Sequence, residues 1–509
     1  MSNIGIKHLI AILVYMAFVV GIGAYFARKA NKNPESFFLG GRSLGPWVTA
    51  FSAEASDMSG YLLMGIPGLA YWTGLSEAGW TCIGLAIGTY LNFLIVSKRL
   101  RRYSVAIGAF TVPDYFSKRF REEKKVLMMI SSLVIIVFFA VYAAQCLSAC
   151  GKLFANIFNI NYHAMMIVSA VFVLLYTFLG GFLAESASDF LQAIVMVTVL
   201  VIVVALMTIH AGGFGAIIAN ARSIDGFLSL TKSATPSVES VNSFGKASSY
   251  GFLSIVSTLA WGLGYFGMPQ VLLRFMGIRS EKELKLSRRV AIIWVVISMA
   301  AAMFIGIAGR SIIGLDYLSN NASENVFIDA SAMFLPPFLA GLAAAGVLAA
   351  SVSSSDSYLL ISSSAISQSI FRSIVKKDAT DKQVIWCSRI SLCVITIVAM
   401  IIAWNSNSTI FGITSFAWAG FGAAFGPLML FSLFWKRTTY ASAIAGMVSG
   451  GLMVFIWKLL IKPLGGVFGV YELLPSFVVS SLVIVIVSLF THNKNSEIDR
   501  DFEKAKSGC

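Results

Sequence analysis

Two apolar segments of this chain, residues 51–68 and 261–270, are hydrophobic enough to lie in a membrane, yet small, polar or helix-breaking residues interrupt each of them. The first contains the run ASDMSG, and the second contains three glycines and a proline. A backbone inside the hydrocarbon region must pair its own N–H and C=O groups, so a break is tolerated only beside protein or a watery cavity. Interrupted helices at matching places in two halves of a chain indicate a solute site.

The composition indicates a polytopic membrane protein. Of the 509 residues, 57% are hydrophobic and 12% are charged, and apolar runs of spanning length follow one another with mostly short connections. We therefore predict an all-α membrane protein of about 13 transmembrane helices that forms a single membrane domain in the lipid bilayer. The net charge of +14 does not indicate nucleic-acid binding, because the basic residues fall in alternate loops. The six cysteines show no CxxC spacing, which argues against a disulfide framework.

The distribution of lysine and arginine predicts the orientation. If the N-terminus is outside, the inner loops hold 30 of the 38 basic residues, in agreement with the positive-inside rule. That count assigns Arg274 to an inner loop and Lys152 to the outer side. We predict a multi-pass protein of the plasma membrane with its N-terminus outside and its C-terminus in the cytoplasm.

The positions of the two breaks predict an inverted repeat. Five spans counted from the first break end near His210, five counted from the second end near Phe434, and an odd number per unit turns the second unit upside down in the membrane. The predicted division is a first helix and cytoplasmic loop (1–45), a five-helix repeat (46–211), an external loop (212–248), a second five-helix repeat (249–435), two extra helices (436–492) and a cytoplasmic tail (493–509).

Four carboxylates in apolar spans are candidates for a cation site, because a charge at that depth is costly and usually faces a cavity or a partner. They are Glu54, Asp57, Asp189 and Asp356. Asp57 lies within the first break, where freed carbonyls and a carboxylate could replace the hydration shell of a small hard cation. A helix cap at the break is the alternative interpretation.

A row of serines marks the ninth predicted span. In the run ASVSSSDS (350–357), Ala350, Ser353, Ser354 and Ser357 fall at i, i+3, i+4 and i+7, so they share one helix face. Close helix packing also favours small residues. Six polar positions in seven are more than packing needs, which favours a site of hard oxygen ligands for a cation.

The second break carries aromatic residues at helical spacing. Trp261, Tyr265 and Pro269 recur every four residues and share a face until the proline interrupts the helix. Aromatic faces beside freed backbone donors suit a small zwitterion with an apolar side. Ordinary aromatic packing is the alternative.

Two short motifs of enzymes occur without the structural context that they need. Residues 262–267 spell GxGxxG, and residues 41–45 spell GxSxG. The first needs a βαβ unit and the second a strand-to-helix turn, neither of which a membrane span or a short loop supplies. We expect no enzymatic activity and no organic cofactor.

Long motifs in a fixed order carry a family resemblance that runs nearly end to end. The chain resembles the sodium:solute symporter family, and within it the sodium/proline symporters. The motifs are PESFFLGGRSLGPW (34–47), ASDMSGYLLMGIPG (55–68), YTFLGGFLA (176–184), WGLGYFG (261–267) and FAWAGFGAAFGP (416–427).

This resemblance implies a core of five plus five helices, with one helix before it and two after, that couples inward sodium flow to uptake of a small solute by alternating access. The implied coupling ion is Na⁺, and the implied solute is L-proline. Another amino acid, a monocarboxylate or pantothenate is the alternative. By resemblance, sodium is held by the carbonyls of Ala55, Met58 and Ala350 and the hydroxyls of Ser353 and Ser354.

The resemblance also assigns the acids and the solute contacts. Asp57 and Asp189 match acids that the family links to sodium. Asp356 and Ser357, with Ser353 and Asp189, form a hypothetical second cation or proton site. The positions matching the family's solute contacts are Ser59, Gly60, Tyr142, Trp261, Tyr265 and Pro269.

Two other classes of protein remain as alternatives. A solute sensor with a transporter-like core would need a signalling domain, for which the tail after residue 491 is too short. An ion channel would carry single-channel currents, whereas a carrier would give saturable, sodium-dependent uptake. No obligate protein partner is expected.

Overall fold

The structure is a computed structural model that describes residues 3–30, 38–234, 244–314, 322–491 and 495–507. Within these ranges the chain is almost entirely helical. One sheet occurs there, a hairpin of two antiparallel strands, β1 (Lys232–Ser233) and β2 (Ser248–Ser249). The predicted all-α fold is confirmed.

The helices of the first half include both halves of the first break. A π-helical turn, Tyr61–Gly65, precedes α3, and another, Asn92–Val96, joins α4 to α5. In chain order the α-helices are α1 (Asn3–Ala30), α2 (Pro46–Ala55), α3 (Ile66–Thr73), α4 (Leu75–Leu91), α5 (Ser97–Ala106), α6 (Val112–Arg119), α7 (Val126–Phe158), α8 (Tyr162–His210) and α9 (Phe214–Ser223).

The helices of the second half begin with the second break. A 3-10 segment, Ala260–Gly267, separates its first helix from the next, and a π-helical segment, Ala365–Val375, extends α14. They are α10 (Phe252–Leu259), α11 (Pro269–Gly277), α12 (Leu284–Ile313), α13 (Val326–Phe334), α14 (Pro337–Ser364), α15 (Asp381–Ile402), α16 (Ile410–Phe434), α17 (Tyr440–Ile456), α18 (Leu473–Thr491) and α19 (Ser496–Ser507).

Among the described residues, nine helices are long and apolar enough to cross a membrane, and the bent pair that ends in α11 makes a tenth. Two shorter apolar helices are Leu9–Ile22 and Tyr162–Leu175. The second of these lies in α8, whose 49 residues would reach roughly 74 Å if straight, against about 30 Å of hydrocarbon. A membrane protein with many spans is therefore confirmed, whereas the total of about 13 spans and the inverted repeat stay predictions.

Prolines fix where three central helices begin. Pro46, Pro269 and Pro337 lie in the first turns of α2, α11 and α14. Proline suits this place because its missing N–H would have no partner in a helix's first turn anyway. The helices that carry the candidate site therefore start at defined residues.

Helix α14 lies at the centre of the helix bundle. In the segment Pro337–Val375 the most apolar window is 83% buried, against 33% in α18, which lies at the periphery. It packs against α1, α7, α8 and α15. The predicted serine row is therefore enclosed by protein on most sides.

Glycines let the second break lie directly against α4. A Cβ built on Gly88 would come within 2.3 Å of the Gly262 carbonyl oxygen, and one on Gly262 would come within 2.3 Å of the Gly84 carbonyl oxygen. The two backbones therefore touch without intervening side chains, as small residues allow between membrane helices.

Candidate functional site

The first break is present where the sequence predicts it. Helix α2 ends at Ala55, and a tight turn follows in which the Asp57 N–H donates to the Glu54 carbonyl at 3.1 Å and the Ser59 N–H to the Asp57 carbonyl at 3.0 Å. The chain then resumes as a π-helical turn. Because the turn replaces regular i to i−4 pairing, backbone groups between α2 and α3 become available to other partners.

The second break is confirmed as well. The 3-10 segment Ala260–Gly267 ends at Met268, whose backbone is extended (φ −73°, ψ 109°), and Pro269 starts α11. The two parts differ in direction by 44°. Pro269 causes the break, because it lacks the N–H that would continue the helix and its ring clashes with the preceding turn.

A contact between the first break and α14 joins two of the predicted sodium ligands. The Ser354 hydroxyl donates to the Ala55 carbonyl at 3.3 Å. Met58 and Ala350 are fully buried on the same two segments. Ser354 of the serine row thus bonds to the first break, where the family resemblance places it.

The fifth predicted ligand, Ser353, has a different partner. Its hydroxyl donates to Asp189 on α8. Asp189 Oδ2 also accepts from Ser52 of α2 at 2.7 Å. Asp189 therefore contacts the residue next to Ser354 in α14.

Asp57 connects the two breaks. Its Oδ1 accepts a hydrogen bond from Gln270 Nε2 at 3.0 Å, and both side chains are fully buried. Gln270 is the second residue of α11, so the two interrupted segments, more than 200 residues apart in the chain, touch at mid-protein.

Three of the predicted solute residues converge between α7 and the first break. The Ser59 hydroxyl donates to Gln145 Oε1 at 2.7 Å. At Gly60 an added Cβ would lie 2.7 Å from the Cβ of Ala149 and 3.3 Å from the Ser351 hydroxyl, so only glycine fits. Tyr142 lies one helical turn before Gln145 and two turns before Ala149 on α7 and is fully buried.

The aromatic residues of the second break form a second cluster. The Trp261 ring stacks on Tyr61 of the first break at 6.4 Å and on Tyr471 at 5.1 Å between ring centroids. Tyr265 meets Trp418 edge to face at 5.0 Å. Aromatic packing, the alternative interpretation, therefore describes part of what these rings do, and Pro269 acts as a helix start.

A cavity of about 330 Å³ reaches Trp261. Phe411 and Tyr471 complete an aromatic wall, and Glu77 and Lys462 add one charge of each sign. A cavity of this volume would admit a small organic solute. Because Trp261 lines it, the cavity reaches the aromatic side of the second break.

Two charged residues of the site escaped the sequence analysis. Arg274, assigned to an inner loop, is instead fully buried, so that assignment was wrong. Its guanidinium donates to Asp189 Oδ2 at 3.1 Å and also to Glu185, which had not been singled out. A signal was available, because Glu185 and Asp189 are four residues apart in an apolar run and Arg274 interrupts the apolar helix α11.

Arg274 joins four segments through its fork of donors. Nε donates to Ser52 of α2 at 2.9 Å, and Nη2 donates to Ser357 of α14 at 3.0 Å, while Glu185 and Asp189 belong to α8. The guanidinium is the residue type that suits such a buried, branched network.

Asp356 adds a further carboxyl to this cluster. It is 4% exposed and interacts electrostatically with Glu185, Asp189 and Arg274. The Ser357 hydroxyl donates to Glu185. The residues of the hypothetical second cation site are therefore gathered in one place, together with an arginine that the hypothesis did not include.

Lys152, which the charge count assigns to the outer side, forms a buried ion pair. Its ammonium pairs with Glu324 at 2.9 Å and donates to the Ser408 carbonyl at 2.8 Å, and the two charged side chains are 8% and 2% exposed. The Phe411 N–H donates to Glu324 at 3.1 Å. This buried pair ties α7 to the start of α16 beside the cavity.

Comparisons with known proteins agree with this architecture. The sequence profile of the sodium:solute symporter family matches residues 37–450. Proteins named sodium/proline symporter from Staphylococcus aureus strains USA300 / TCH1516 and JH9 are 39% identical over 504 residues, which is 98% of this chain and 95% of each relative.

Solved transporters share the fold. A Na⁺-coupled sialic acid symporter, solved in a substrate-bound outward-open state, superposes with a TM-score of 0.78 at 18% identity, covering 97% of this chain and all of that one. A nucleobase-cation-symport-1 family transporter, solved in a closed conformation, gives 0.55 at 12% identity over 93% of this chain. On the match of the family profile and the 39% identity to curated relatives, this chain belongs to the sodium:solute symporter family, whose members are sodium-coupled membrane transporters rather than enzymes.

Proposed function

We propose that this protein couples the inward flow of Na⁺ to the uptake of L-proline by alternating access. The single observation that carries the proposal is the contact of the Ser354 hydroxyl with the Ala55 carbonyl, because it sets two hard oxygens side by side at the first break. The 39% identity to proteins named sodium/proline symporter supports proline as the solute.

Sodium in this proposal binds between the first break and α14. Its ligands are the carbonyls of Ala55, Met58 and Ala350 and the hydroxyls of Ser353 and Ser354. Oxygen atoms of this kind suit a hard cation that has shed its water. Asp57 directly precedes Met58 in the chain, and Asp189 accepts a hydrogen bond from Ser353. Both acids supply negative charge that favours the ion.

The solute in this proposal lies between the two breaks. Its polar end meets the backbone of Ser59 and Gly60, and its apolar ring meets aromatic side chains. The remaining contacts are Tyr142, Trp261, Tyr265 and Pro269. Because Asp57 bonds to Gln270 across the gap, an ion that orders the first break also orders the second.

External sodium thus prepares the solute pocket, and rocking of one helix bundle against the other then opens the site to the inside. The energetics suffice. One charge moving down about 100 mV gains about 2.3 kcal/mol, and a tenfold sodium gradient adds about 1.4 kcal/mol. Together these support accumulation of the solute by roughly several hundredfold.

The remaining parts of the proposal concern charge and orientation. Asp356 and Ser357 form a second cation site with Asp189. The buried carboxyls there outnumber the one positive charge that Arg274 supplies. The protein lies in the plasma membrane with its N-terminus outside, and the units 46–211 and 249–435 are inverted repeats.

Proteoliposomes containing the purified protein test this function. We expect saturable uptake of radioactive L-proline that needs an inward sodium gradient and rises with an inside-negative potential. A counterflow screen of proline, other amino acids, pantothenate, monocarboxylates and sugars, with and without sodium, identifies the solute. Exchange of another solute with no exchange of proline would reject proline. Sodium-independent exchange would reject the coupling.

A further inference from the structure

Glu54 is the one acid of the first break that the proposed function leaves without a role. Its side chain is fully buried, and neither carboxyl oxygen has a hydrogen-bond partner among the described residues. An isolated buried charge is costly, and a neutral carboxyl would still bury an O–H donor without an acceptor. Either form of Glu54 therefore needs a partner that the described part of the chain does not provide there.

The surroundings of Glu54 contain more acceptors of the same kind. Asp57, three residues on, interacts with it electrostatically, and the second oxygen of Asp57 has no hydrogen-bond partner either. Gln270 donates to Asp57 through its nitrogen, which leaves Gln270 Oε1 unpaired and fully buried at the same place. Two carboxyls and an amide oxygen thus converge where the two breaks meet.

Two buried tyrosines lie beside Glu54 and Asp57. Tyr61 and Tyr265 are fully buried, and each interacts electrostatically with both Glu54 and Asp57. The Tyr265 hydroxyl lies beside the Asp57 carboxyl, and the Tyr61 hydroxyl has no hydrogen-bond partner among the described residues. A hydroxyl can donate to a carboxylate or offer its oxygen to a cation.

No lysine or arginine of the described ranges forms an ion pair with Glu54 or Asp57. This cluster of side chains is therefore rich in oxygen acceptors, fully buried and, within the described residues, short of positive charge. Those are the properties of a site for a single positive charge with several oxygen ligands.

We propose that Glu54, Asp57 and Gln270 Oε1 form a monovalent-cation centre between the two breaks, in addition to the sodium site at Ala55 and Ser354. It takes either a sodium ion or the charged amine of the solute, since both present one positive charge to oxygen acceptors. This inference deepens the proposed function and rests on it, because the two breaks are the same solute and ion site.

The test variant is Glu54→Gln, which keeps the shape and removes the charge. Two measurements on purified protein separate the two occupants. The first is equilibrium binding of radioactive sodium without solute. The second is binding at saturating sodium of L-proline and of its ring-oxygen analogue, which lacks the charged amine. Loss of one charge-assisted contact predicts a rise of about tenfold or more in the affected Kd.

Each outcome decides between the occupants. Weaker sodium binding in Glu54→Gln identifies an inorganic ion. Unchanged sodium binding, with loss of the preference for proline over the ring-oxygen analogue, identifies the amine. If neither changes while wild-type uptake depends on sodium, this inference alone is refuted. If wild-type uptake does not depend on sodium, the proposed function itself fails.

Two controls distinguish the site from a fault in folding. Glu54→Asp keeps the charge and should restore most of the affected binding. Glu122→Gln changes another buried carboxyl, which caps the start of α7 through the Leu127 and Met128 N–H groups, and should alter neither measurement. Should Glu54→Gln fail to fold, Gln270→Leu removes the amide acceptor while leaving both carboxyls, and it should weaken the same binding.

Discussion

Two groups of buried acids lie near the Ala55–Ser354 contact, and they are compensated differently. Asp189 and Glu185 share the guanidinium of Arg274, which donates to both. Among the polar groups of the described residues, Glu54 and Asp57 have the amide of Gln270 and tyrosine hydroxyls near them, and no lysine or arginine there pairs with either acid. The first group carries a resident cation, whereas the second depends on a positive charge that is not part of the chain.

This difference indicates that the two groups of acids have different roles. Arg274 connects α2, α8, α11 and α14, so the first group holds together the segments that carry the proposed sodium ligands. The second group lies where the two breaks meet and can exchange its cation during transport. A permanent charge at the second group would remove its dependence on the transported species.

The largest effect is expected from Arg274→Gln. Removing one partner of a buried ion pair leaves uncompensated carboxylates and costs about 3–5 kcal/mol. We expect a strong fall in the yield of folded protein and in the thermal unfolding temperature, followed by thermal-shift assay in detergent. Arg274→Lys keeps the charge but loses the fork, so it should recover stability only in part.

The matched control is Arg279→Gln, five residues further along. Arg279 pairs with Glu283 at the surface, where its side chain is 59% exposed. Such a pair contributes about 0–1 kcal/mol, so its loss should hardly change the unfolding temperature. A wild-type unfolding temperature in Arg274→Gln would contradict the role of this arginine in holding these segments together.

Next in size is Asp57→Cys, which removes a carboxyl from the group that lacks a resident cation. We expect the protein to fold, because the change shortens a side chain without leaving a buried cation unpaired, and we expect sodium-stimulated uptake to be abolished. Uptake of labelled solute into proteoliposomes, measured over a range of sodium concentrations, gives the answer. Normal uptake would refute the role of Asp57.

Ser354→Ala tests the sodium ligands with a smaller change. The substitution deletes the hydroxyl that donates to the Ala55 carbonyl. If that ligand contributes about 1.4 kcal/mol to the binding free energy of sodium, its loss would weaken the apparent sodium affinity about tenfold. The maximal uptake rate at saturating sodium should change less. Ser364→Ala is the control, because that hydroxyl bonds only back to the Ile361 carbonyl of its own helix.

Tyr61→Phe should produce the smallest effect. It deletes one unpaired hydroxyl near Glu54 and Asp57 but keeps the ring that stacks on Trp261. We expect the sodium and solute affinities to change by no more than about tenfold. A complete loss of uptake would mean that this hydroxyl, rather than the carboxyls, dominates the centre.

The breaks and the serine row could be predicted because their signals are local. Glycines and Pro269 interrupt the second segment by their own stereochemistry, and the serines share a face by helical spacing alone. The partners of these residues were not predictable, since the contact of Gln270 with Asp57 joins segments far apart in the chain. That contact depends on how the helices pack.

Counting charges in loops gave no sign that Arg274 and Lys152 are buried in ion pairs. Arg274 and Lys152 lie near the ends of apolar runs and so resemble the flanks of spans. Both are instead buried against acids, on Asp189 and Glu185 in one case and on Glu324 in the other. A charge near the end of a span therefore needs a search for an acid partner before it is assigned to a loop.

The central claim is that an ion binds where the first break meets α14. Cryo-electron microscopy of the wild-type protein in sodium and in sodium-free buffer tests it most directly. We predict density for an ion in contact with the Ala55 carbonyl and the Ser354 hydroxyl in sodium only. Unbroken helices at either segment, or an ion found elsewhere while these two oxygens stay bonded to each other, would contradict the account.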